Sequence, residues 1–296
     1  MRISILTPSY NRAKLLPKLY QSILDNLIND VEIEWLIMDD GSTDETKKII
    51  ENFIIENKIT IKYFFQNNQG KMRAINNLIE NANGDLIIEC DSDDYFAKDA
   101  FKIIKTSYDI VEDNMEKIYE LCFLKYDQNG KNMGNNFIKN TTKMFDLYFK
   151  EGENGEKALV FNGQIRKKYK YELEKDEKFI TEARMFHKMD EKYDIVCINK
   201  PIMICEYQNE GYTKNIINQF KNNPYGYFEY FKEILQKDMR GVLFKKRLYA
   251  IKHYILFSIL TNQKNIVKQI KGRLNKLLIV ILFIPGRIMT KLKIKR

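Results

Sequence analysis

Asp85-Leu86-Ile87-Ile88-Glu89-Cys90-Asp91-Ser92-Asp93-Asp94 is an apolar run that ends in three carboxylates within four residues. Asp85–Cys90 has the length and composition of a buried strand. Adjacent carboxylates at its end repel one another, and they persist only where a cation or hydrogen-bond donors neutralise them. Hard oxygen ligands in this number suit Mg²⁺ or Mn²⁺, which in turn bridge phosphate oxygens. An Asp-rich turn capping a helix that starts near Lys98 is the plain alternative.

Outward from this stretch, apolar runs and helical patterns alternate. Strands are expected at Ile3–Thr7, Ile33–Met38, Ile59–Phe65 and Ile118–Lys125, and helices at Ala13–Leu27, Asp44–Asn57, Lys71–Asn81 and Lys98–Glu112. Ser42, Thr43 or Asp44 would cap the second helix. Such alternation predicts an α/β fold with a mostly parallel twisted sheet covered on both faces. Residues 127–162 are polar and rich in Asn and Gly, so loops and short strands are expected there. A helix over Ile180–Met189 and two strands, Tyr193–Ile198 and Pro201–Tyr207, follow, with a turn at Asn199-Lys200. From about Asn215 the chain reads as helical, with a break at Asn222-Asn223-Pro224.

In open parallel sheets, ligands bind outside the carboxyl ends of the strands. Four strand ends carry polar clusters: Pro8-Ser9-Tyr10-Asn11, Asp39-Asp40-Gly41-Ser42, Gln66-Asn67-Asn68-Gln69 and Asp91-Ser92-Asp93-Asp94. All four are expected on one edge, which makes that edge the candidate site. An Asp in the second cluster can accept hydrogen bonds from a base or ribose, or simply cap a helix. Lys71 and Arg73 open a helix and suit a diphosphate.

The order and spacing of these segments resemble glycosyltransferase family 2. The matching residues are Ile5-Leu6-Thr7-Pro8-Ser9-Tyr10-Asn11-Arg12, Leu36-Ile37-Met38-Asp39-Asp40-Gly41-Ser42-Thr43-Asp44, Asn68-Gln69-Gly70-Lys71, Ala74-Ile75-Asn76, Ala82-Asn83-Gly84-Asp85 and Asp91-Ser92-Asp93-Asp94. The match is strong over residues 1–100 and loose over 100–215. The resemblance implies a GT-A fold and an inverting transfer from a nucleotide-diphosphate sugar, with uracil the usual base, in surface-polysaccharide synthesis. It implies that Thr7, Pro8, Tyr10 and Arg12 line the nucleotide pocket, and that Asp39 contacts the base. Lys71 and Arg73 would lie near ribose and phosphates, Asp91 would hold the donor ribose or sugar, and Ser92 would belong to the nucleotide-sugar site. Asp93, with Asp91, would ligate Mn²⁺ or Mg²⁺, and Asp94 would support the loop.

The family's general base opens a later helix as an acidic pair. Thr181-Glu182 stands there in this chain, which makes Glu182 the candidate base, with Asp176 and Glu177 as fallbacks. A first-turn glutamate stabilised by the helix dipole is the alternative. Glu206-Tyr207-Gln208-Asn209-Glu210-Gly211-Tyr212-Thr213 resembles a loop that closes over the donor, with Gly211 as its hinge.

The chain carries 49 Lys and Arg against 40 Asp and Glu, a net of +9. From Met239 to Arg296 there are 15 basic and no acidic residues, so the preceding 238 residues carry a net of −6. Leu277–Pro285 is a nine-residue apolar run, too short to span a bilayer, which takes about 20 residues. Lys264, Lys268, Lys271, Arg273 and Lys276 precede it, and Lys291, Lys293, Lys295 and Arg296 follow. That pattern fits an amphipathic helix at an anionic membrane surface, or a helix packed on the catalytic domain with a solvated basic end. The expected division is a catalytic domain over 1–215, its nucleotide part about 1–100 and its acceptor part about 100–215, then a basic helical region over 216–296. A glycan or lipid-linked acceptor suits membrane contact through 240–296.

Cys90, Cys122, Cys197 and Cys205 form no C-x-x-C pair and read as buried free thiols. No signal peptide precedes the first strand, so a cytoplasmic catalytic part is expected, peripheral on the membrane face. His187 and His253 are isolated and read as structural. Two other readings are weaker. A nucleotidyltransferase or a dinucleotide-dependent oxidoreductase carries a Gly-rich loop after strand one, where Pro8–Arg12 has no glycine. A nucleic-acid binder or inactive scaffold would need aromatics in a basic groove, but Tyr249, Tyr254 and Phe257 read as core, so no nucleic acid is expected.

Overall fold

The computed structural model describes residues 1–174, 176–206 and 216–294, with side chains to residue 284. The chain forms two compact units, 1–144 with 153–171 and 185–209, and 145–152 with 172–184 and 210–296.

The first unit is an α/β sandwich. Its elements are β1 (Arg2–Ser9), α1 (Leu16–Asp25), β2 (Glu32–Asp39), α2 (Thr46–Glu56), β3 (Thr60–Phe65), α3 (Lys71–Asn81), β4 (Leu86–Glu89), β5 (Asp94–Phe96), α4 (Ala100–Val111), β6 (Ile118–Asp127) and β7 (Thr141–Thr142). After α5 (Met144–Phe149), most of which belongs to the second unit, come β8 (Lys157–Asn162), α6 (Gly163–Arg166), α7 (Ala183–Met189) and β9 (Asp194–Cys205). The strands line up as β3-β2-β1-β4-β8-β6-β9-β5, with β7 beside β9. β1, β2, β3, β4, β6 and β9 run one way, and β5, β7 and β8 the other. The mostly parallel sheet predicted from the alternation is therefore present.

Both faces are covered. Ile3, Ile5, Trp35, Ile37 and Ile88 pack with α1, α2 and α4 in one core. Within it Tyr20 stacks on Phe53 at 4.1 Å, beside Trp35. Each such side chain contributes roughly 1.5–3 kcal/mol by leaving water. α3 buries Met72, Ala74, Ile75, Leu78 and Ile79. The strand order reverses between β1 and β4, the place where α/β sheets leave a crevice at their carboxyl ends.

Two sequence expectations change. Asn199-Lys200 is not a turn between two strands. Residues 194–205 form one strand, parallel to β6, with register breaks around Phe123 and Leu124 that leave Asn199 and Lys200 in a bulge. Asn199 closes the bulge by bonding the Phe137 backbone in both directions, at 2.8 and 3.0 Å. The acidic motif also does not lead straight into a helix. Its Asp94 N–H donates to the Asp91 carbonyl at 3.0 Å, and Asp94 then begins β5, paired with Cys205. The four cysteines are free and buried, as read from the sequence.

The second unit is helical: α8 (Ile216–Asn222), α9 (Pro224–Gln236), α10 (Phe244–Leu260) and α11 (Arg273–Ile294). The break at residues 222–224 separates α8 from α9, and Pro224 takes the first position of α9, where its missing N–H costs nothing. Phe228, Phe231, Ile234, Leu235, Ile251 and Ile279 form its core. Tyr254 and Phe257 are core residues as expected, whereas Tyr249 is 49% exposed, a correction to the sequence reading. His253 stacks on Phe231 and bonds the Tyr249 carbonyl at 2.9 Å, a structural role.

Candidate active site at the carboxyl edge of the sheet

The four polar clusters meet because the first strands are parallel and in register. Ser9 lies opposite Asp39 across β1 and β2, and Cys90 N–H donates to the Leu6 carbonyl at 2.9 Å. The loops after β1 and β2 are then sewn together. Asn11 N–H donates to Ser42 Oγ (2.9 Å), Thr43 N–H to Asn11 Oδ1 (2.8 Å) and Arg12 N–H to Thr46 Oγ1 (3.0 Å). Asp44 Oδ1 accepts the Thr46 N–H at 3.0 Å at the start of α2, but the N-cap position is Glu45, not Ser42, Thr43 or Asp44, and the Glu45 side chain makes no capping bond.

Asp39 and Asp40 divide their work. Asp39 accepts Ser42 N–H (2.8 Å) and the Tyr63 hydroxyl (3.0 Å). Asp40 takes the Gln69 and Gly70 N–H groups, both at 2.8 Å, and the Gln66 amide at 2.7 Å, fixing the turn before α3. Gly41 has φ +84°, and a Cβ there would sit 2.9 Å from Asn68 N, so the turn requires glycine. Glu34 anchors the turn before β4: it accepts Asn83 N–H, Ser4 Oγ and Lys62 Nζ, and Ser4 Oγ accepts Gly84 N–H at 2.7 Å.

The acidic motif is largely neutralised from within. Lys71 Nζ reaches Asp91, and Lys125 Nζ reaches Asp94 at 2.6 Å with Glu156 at 3.2 Å. Burial pushes Asp91 upward, but Lys71, Lys125 and Arg12 outweigh it and hold the carboxyl below its usual value. Burial and Asp91 instead raise Asp93, which forms no ion pair among the described residues. Burial raises Asp94 to about 6 against the pull of Lys125. The motif therefore keeps one uncompensated carboxylate, Asp93, beside a half-exposed Asp91. No group of three or more His, Cys, Asp or Glu among the described residues forms a protein cage for a metal. A Mg²⁺ or Mn²⁺ ion needs only one or two carboxylates when phosphates and waters complete its shell, and Asp93 with Asp91 fits that pattern.

The other expected residues are placed as follows. Tyr10 is exposed, Pro8 and Arg12 are half-buried, and Arg73 reaches the Gln69 carbonyl at 3.2 Å. Thr7 is wholly buried, with its hydroxyl accepting from Trp35 Nε1 at 2.9 Å, and Ser92 is buried. Glu182 lies in the second unit, just before α7, and Thr181 O accepts Arg184 N–H. Glu177 is committed elsewhere: its carboxylate accepts Tyr225 and Gly226 N–H at 2.6 and 2.7 Å, at the start of α9. Beyond Glu206, the expected donor loop lies outside the described residues.

Sequence reading missed Lys125 and gave Ser9, within its cluster, no role of its own. Lys125 is the lone cation in an apolar strand, a signal that its charge has a buried partner. Ser9 Oγ is buried at the same strand end, without a hydrogen-bond partner among the described residues.

The model of the family described as "Glycosyl transferase family 2" matches residues 4–155. An "Uncharacterized glycosyltransferase MG060" of Mycoplasma genitalium is 38% identical over 109 residues, 36% of each chain. The "Poly(ribitol-phosphate) beta-N-acetylglucosaminyltransferase TarS" of Staphylococcus aureus is 29% identical over 102 residues, 34% of this chain and 18% of that one. The chain spans half or less of the length of the curated relatives it matches. Among solved structures, TarS 1-349 in complex with UDP-GlcNAc superposes with a TM-score of 0.62 at 16% identity, covering 98% of this chain and 89% of that one. The mannosyltransferase PcManGT from Pyrobaculum calidifontis, in complex with GDP-Man and Mn²⁺, gives 0.57 at 13% identity, covering 98% and 83%. With that match over more than half of its length and this fold, the chain belongs to glycosyl transferase family 2 and has the GT-A architecture.

Proposed function

We propose that this protein is an inverting glycosyltransferase that moves a sugar from a UDP-sugar to a hydroxyl of a glycan or lipid-linked acceptor in cell-surface polysaccharide synthesis. The observation that carries the reading is the meeting of Arg12, Lys71, Asp91 and Asp93 at the β1/β4 switch point. The S. aureus relative named as an N-acetylglucosaminyltransferase has been solved with UDP-GlcNAc, which supports a UDP-sugar donor here.

In this reading Pro8, Tyr10 and Asp39 hold the nucleoside, with Thr7 and Ser92 supporting the pocket from beneath. Lys71, Arg12 and Arg73 face the diphosphate, and Asp91 the donor sugar. Asp93, with Asp91, holds Mn²⁺ or Mg²⁺, as the Mn²⁺ complex of PcManGT supports. The ion, when bound, neutralises charge on the departing diphosphate. Glu182 takes the proton from the acceptor hydroxyl. That hydroxyl attacks the anomeric carbon opposite the nucleotide, and configuration inverts.

No helix among the described residues is long and apolar enough to cross a membrane. Residues 240–296 meet an anionic membrane surface on its cytoplasmic side, where a lipid-linked acceptor would be presented. A thermal-shift panel of UDP- and GDP-sugars with Mn²⁺, followed by UDP release, tests the proposal. A rise with a UDP-sugar and acceptor-dependent release of UDP are expected; stabilisation by GDP-sugars alone would overturn the donor assignment.

A further inference from the structure

Within the second unit, a pocket of about 340 Å³ is lined by Lys237, Arg240, Arg247, Lys271, Arg273 and Asn275, with Asp238 as its one carboxylate. Arg240 engages that carboxylate through Nε and Nη2. Arg247 is seated at the wall by its bond to the Met239 carbonyl at 2.6 Å. Among the described residues, Lys271 and Arg273 form no ion pair, so the pocket keeps an excess of positive charge. The 22-residue α11 begins at Arg273, and its first turn holds no acidic residue, so its positive end adds to the same field. Asn275 is 3% exposed, and its Oδ1 accepts no hydrogen bond from the described residues. An anion fits the cations that line the pocket.

An apolar stripe starts at the pocket rim. Leu274, Leu277, Val280, Ile281 and Ile284 are 46–72% exposed. At about 100° per residue they cover one arc of α11 roughly 120° wide. Ile279, Leu278, Leu282 and Phe283 fill the opposite arc and pack into the unit's core. A helix with both sides apolar has a second partner, and 15 basic residues without one acidic residue from 239 to 296 say what charge that partner carries.

We infer that this pocket binds the phosphate of an anionic phospholipid, while the α11 stripe enters the acyl boundary of the same leaflet. The inference rests on the proposed membrane contact and assigns it a specific headgroup site.

The test uses the full chain, with vesicles of phosphatidylcholine alone or mixed with phosphatidylglycerol. Calorimetric titration with dihexanoyl-phosphatidylglycerol and with inorganic phosphate runs in parallel. Recovery with the mixed vesicles is expected, together with tighter binding of the soluble lipid than of phosphate. Lys271→Gln/Arg273→Gln changes two exposed side chains and is expected to keep the fold. It should weaken the lipid roughly 30-fold, the loss of two cations at an anionic surface. Leu277→Ser/Ile281→Ser should lose vesicle recovery while keeping the soluble headgroup. Wild-type recovery with no effect of Lys271→Gln/Arg273→Gln would overturn the pocket and leave membrane contact standing. No recovery of the wild-type chain would overturn membrane contact and the inference with it. Phosphate binding as tight as lipid would overturn the lipid source, and a dimer dependent on Leu277 and Ile281 would assign the stripe to a second copy.

Discussion

Lys71 holds Asp91 by both carboxylate oxygens, with Nζ 2.8 Å from Oδ1 and 2.9 Å from Oδ2. The first residue of α3 is thereby tied to the loop that follows β4. The pair couples the helix end that would face a diphosphate to the loop that would face the metal. Lys71→Met removes the cation that holds Asp91 in its charged form. Donor kcat/KM is expected to fall by about 10–100-fold, in line with the loss of a charge-assisted contact to phosphate. Stability should change by only about 1 kcal/mol, because Asp91 is 41% exposed and water can take over. An unchanged kcat/KM would remove Lys71 from the donor site.

Lys125 and Asp94 behave differently because both are buried, at 9% and 4% side-chain exposure. Removing one partner strands a charge in the interior, which costs about 3–5 kcal/mol. Lys125→Met, which strands Asp94, is expected to lower the urea midpoint strongly, and Asp94→Asn less so, because Lys125 keeps Glu156 at 3.2 Å. The double variant should recover part of the loss, since no charge is then stranded. A double variant whose loss equals the sum of the two single losses would show that the pair is not coupled.

The strands and helices up to residue 125, apart from the short β5, were legible because each is a simple periodic run between polar clusters. Lys71–Asn81 appears with the boundaries read from the sequence. The candidate site followed from parallel order alone, which puts every carboxyl end on one edge. What was not legible depends on partners far away in the chain. Asn199-Lys200 looks like a turn until its register against β6 is known. Glu177 looks like a free carboxylate until Tyr225 and Gly226 arrive 48 and 49 residues later. The charge state of Asp91–Asp94 depends on Lys71 and Lys125, neither of them adjacent in sequence.

Asp93→Asn is expected to abolish the Mn²⁺ dependence of UDP binding while the nucleoside contacts remain. Burial and Asp91 raise the Asp93 carboxyl, so protons compete with the metal at higher pH than they do at an ordinary aspartate. Metal-dependent binding should therefore weaken as pH falls from neutral into the mildly acidic range. Isothermal titration with and without Mn²⁺ reads this directly. Identical Mn²⁺ titrations for the variant and the wild type would refute the assignment.

Glu182→Gln keeps the shape of the side chain and removes its basicity. Transfer should drop by roughly 10²–10⁴-fold, while UDP-sugar affinity stays the same. The matched control is Glu177→Gln, which alters a helix cap. It should lower the melting temperature, with a small effect on turnover of the folded protein. Wild-type turnover by Glu182→Gln would assign the base to another group.

Glu120 gives the chain a pH dependence of its own. It sits wholly buried on β6, and among the described residues no nitrogen or oxygen donor reaches either carboxylate oxygen, while the weakly donating Cys122 thiol lies close. Burial, with Cys197 and Asp190 nearby, pushes its carboxyl well above the ordinary glutamate value. The folded chain therefore holds this proton to higher pH than the unfolded chain does. The stability it confers is fully present below the unfolded value and is lost as pH rises through the window between the two values. Within that window the slope is about 1.4 kcal/mol per pH unit. Glu120→Gln has the same volume and no proton to lose. Its urea-unfolding free energy should exceed the wild type's increasingly as pH rises from the glutamate range to neutral. Parallel profiles for the two proteins would mean that Glu120 ionises alike in the folded and unfolded chains, which its burial without a cation argues against.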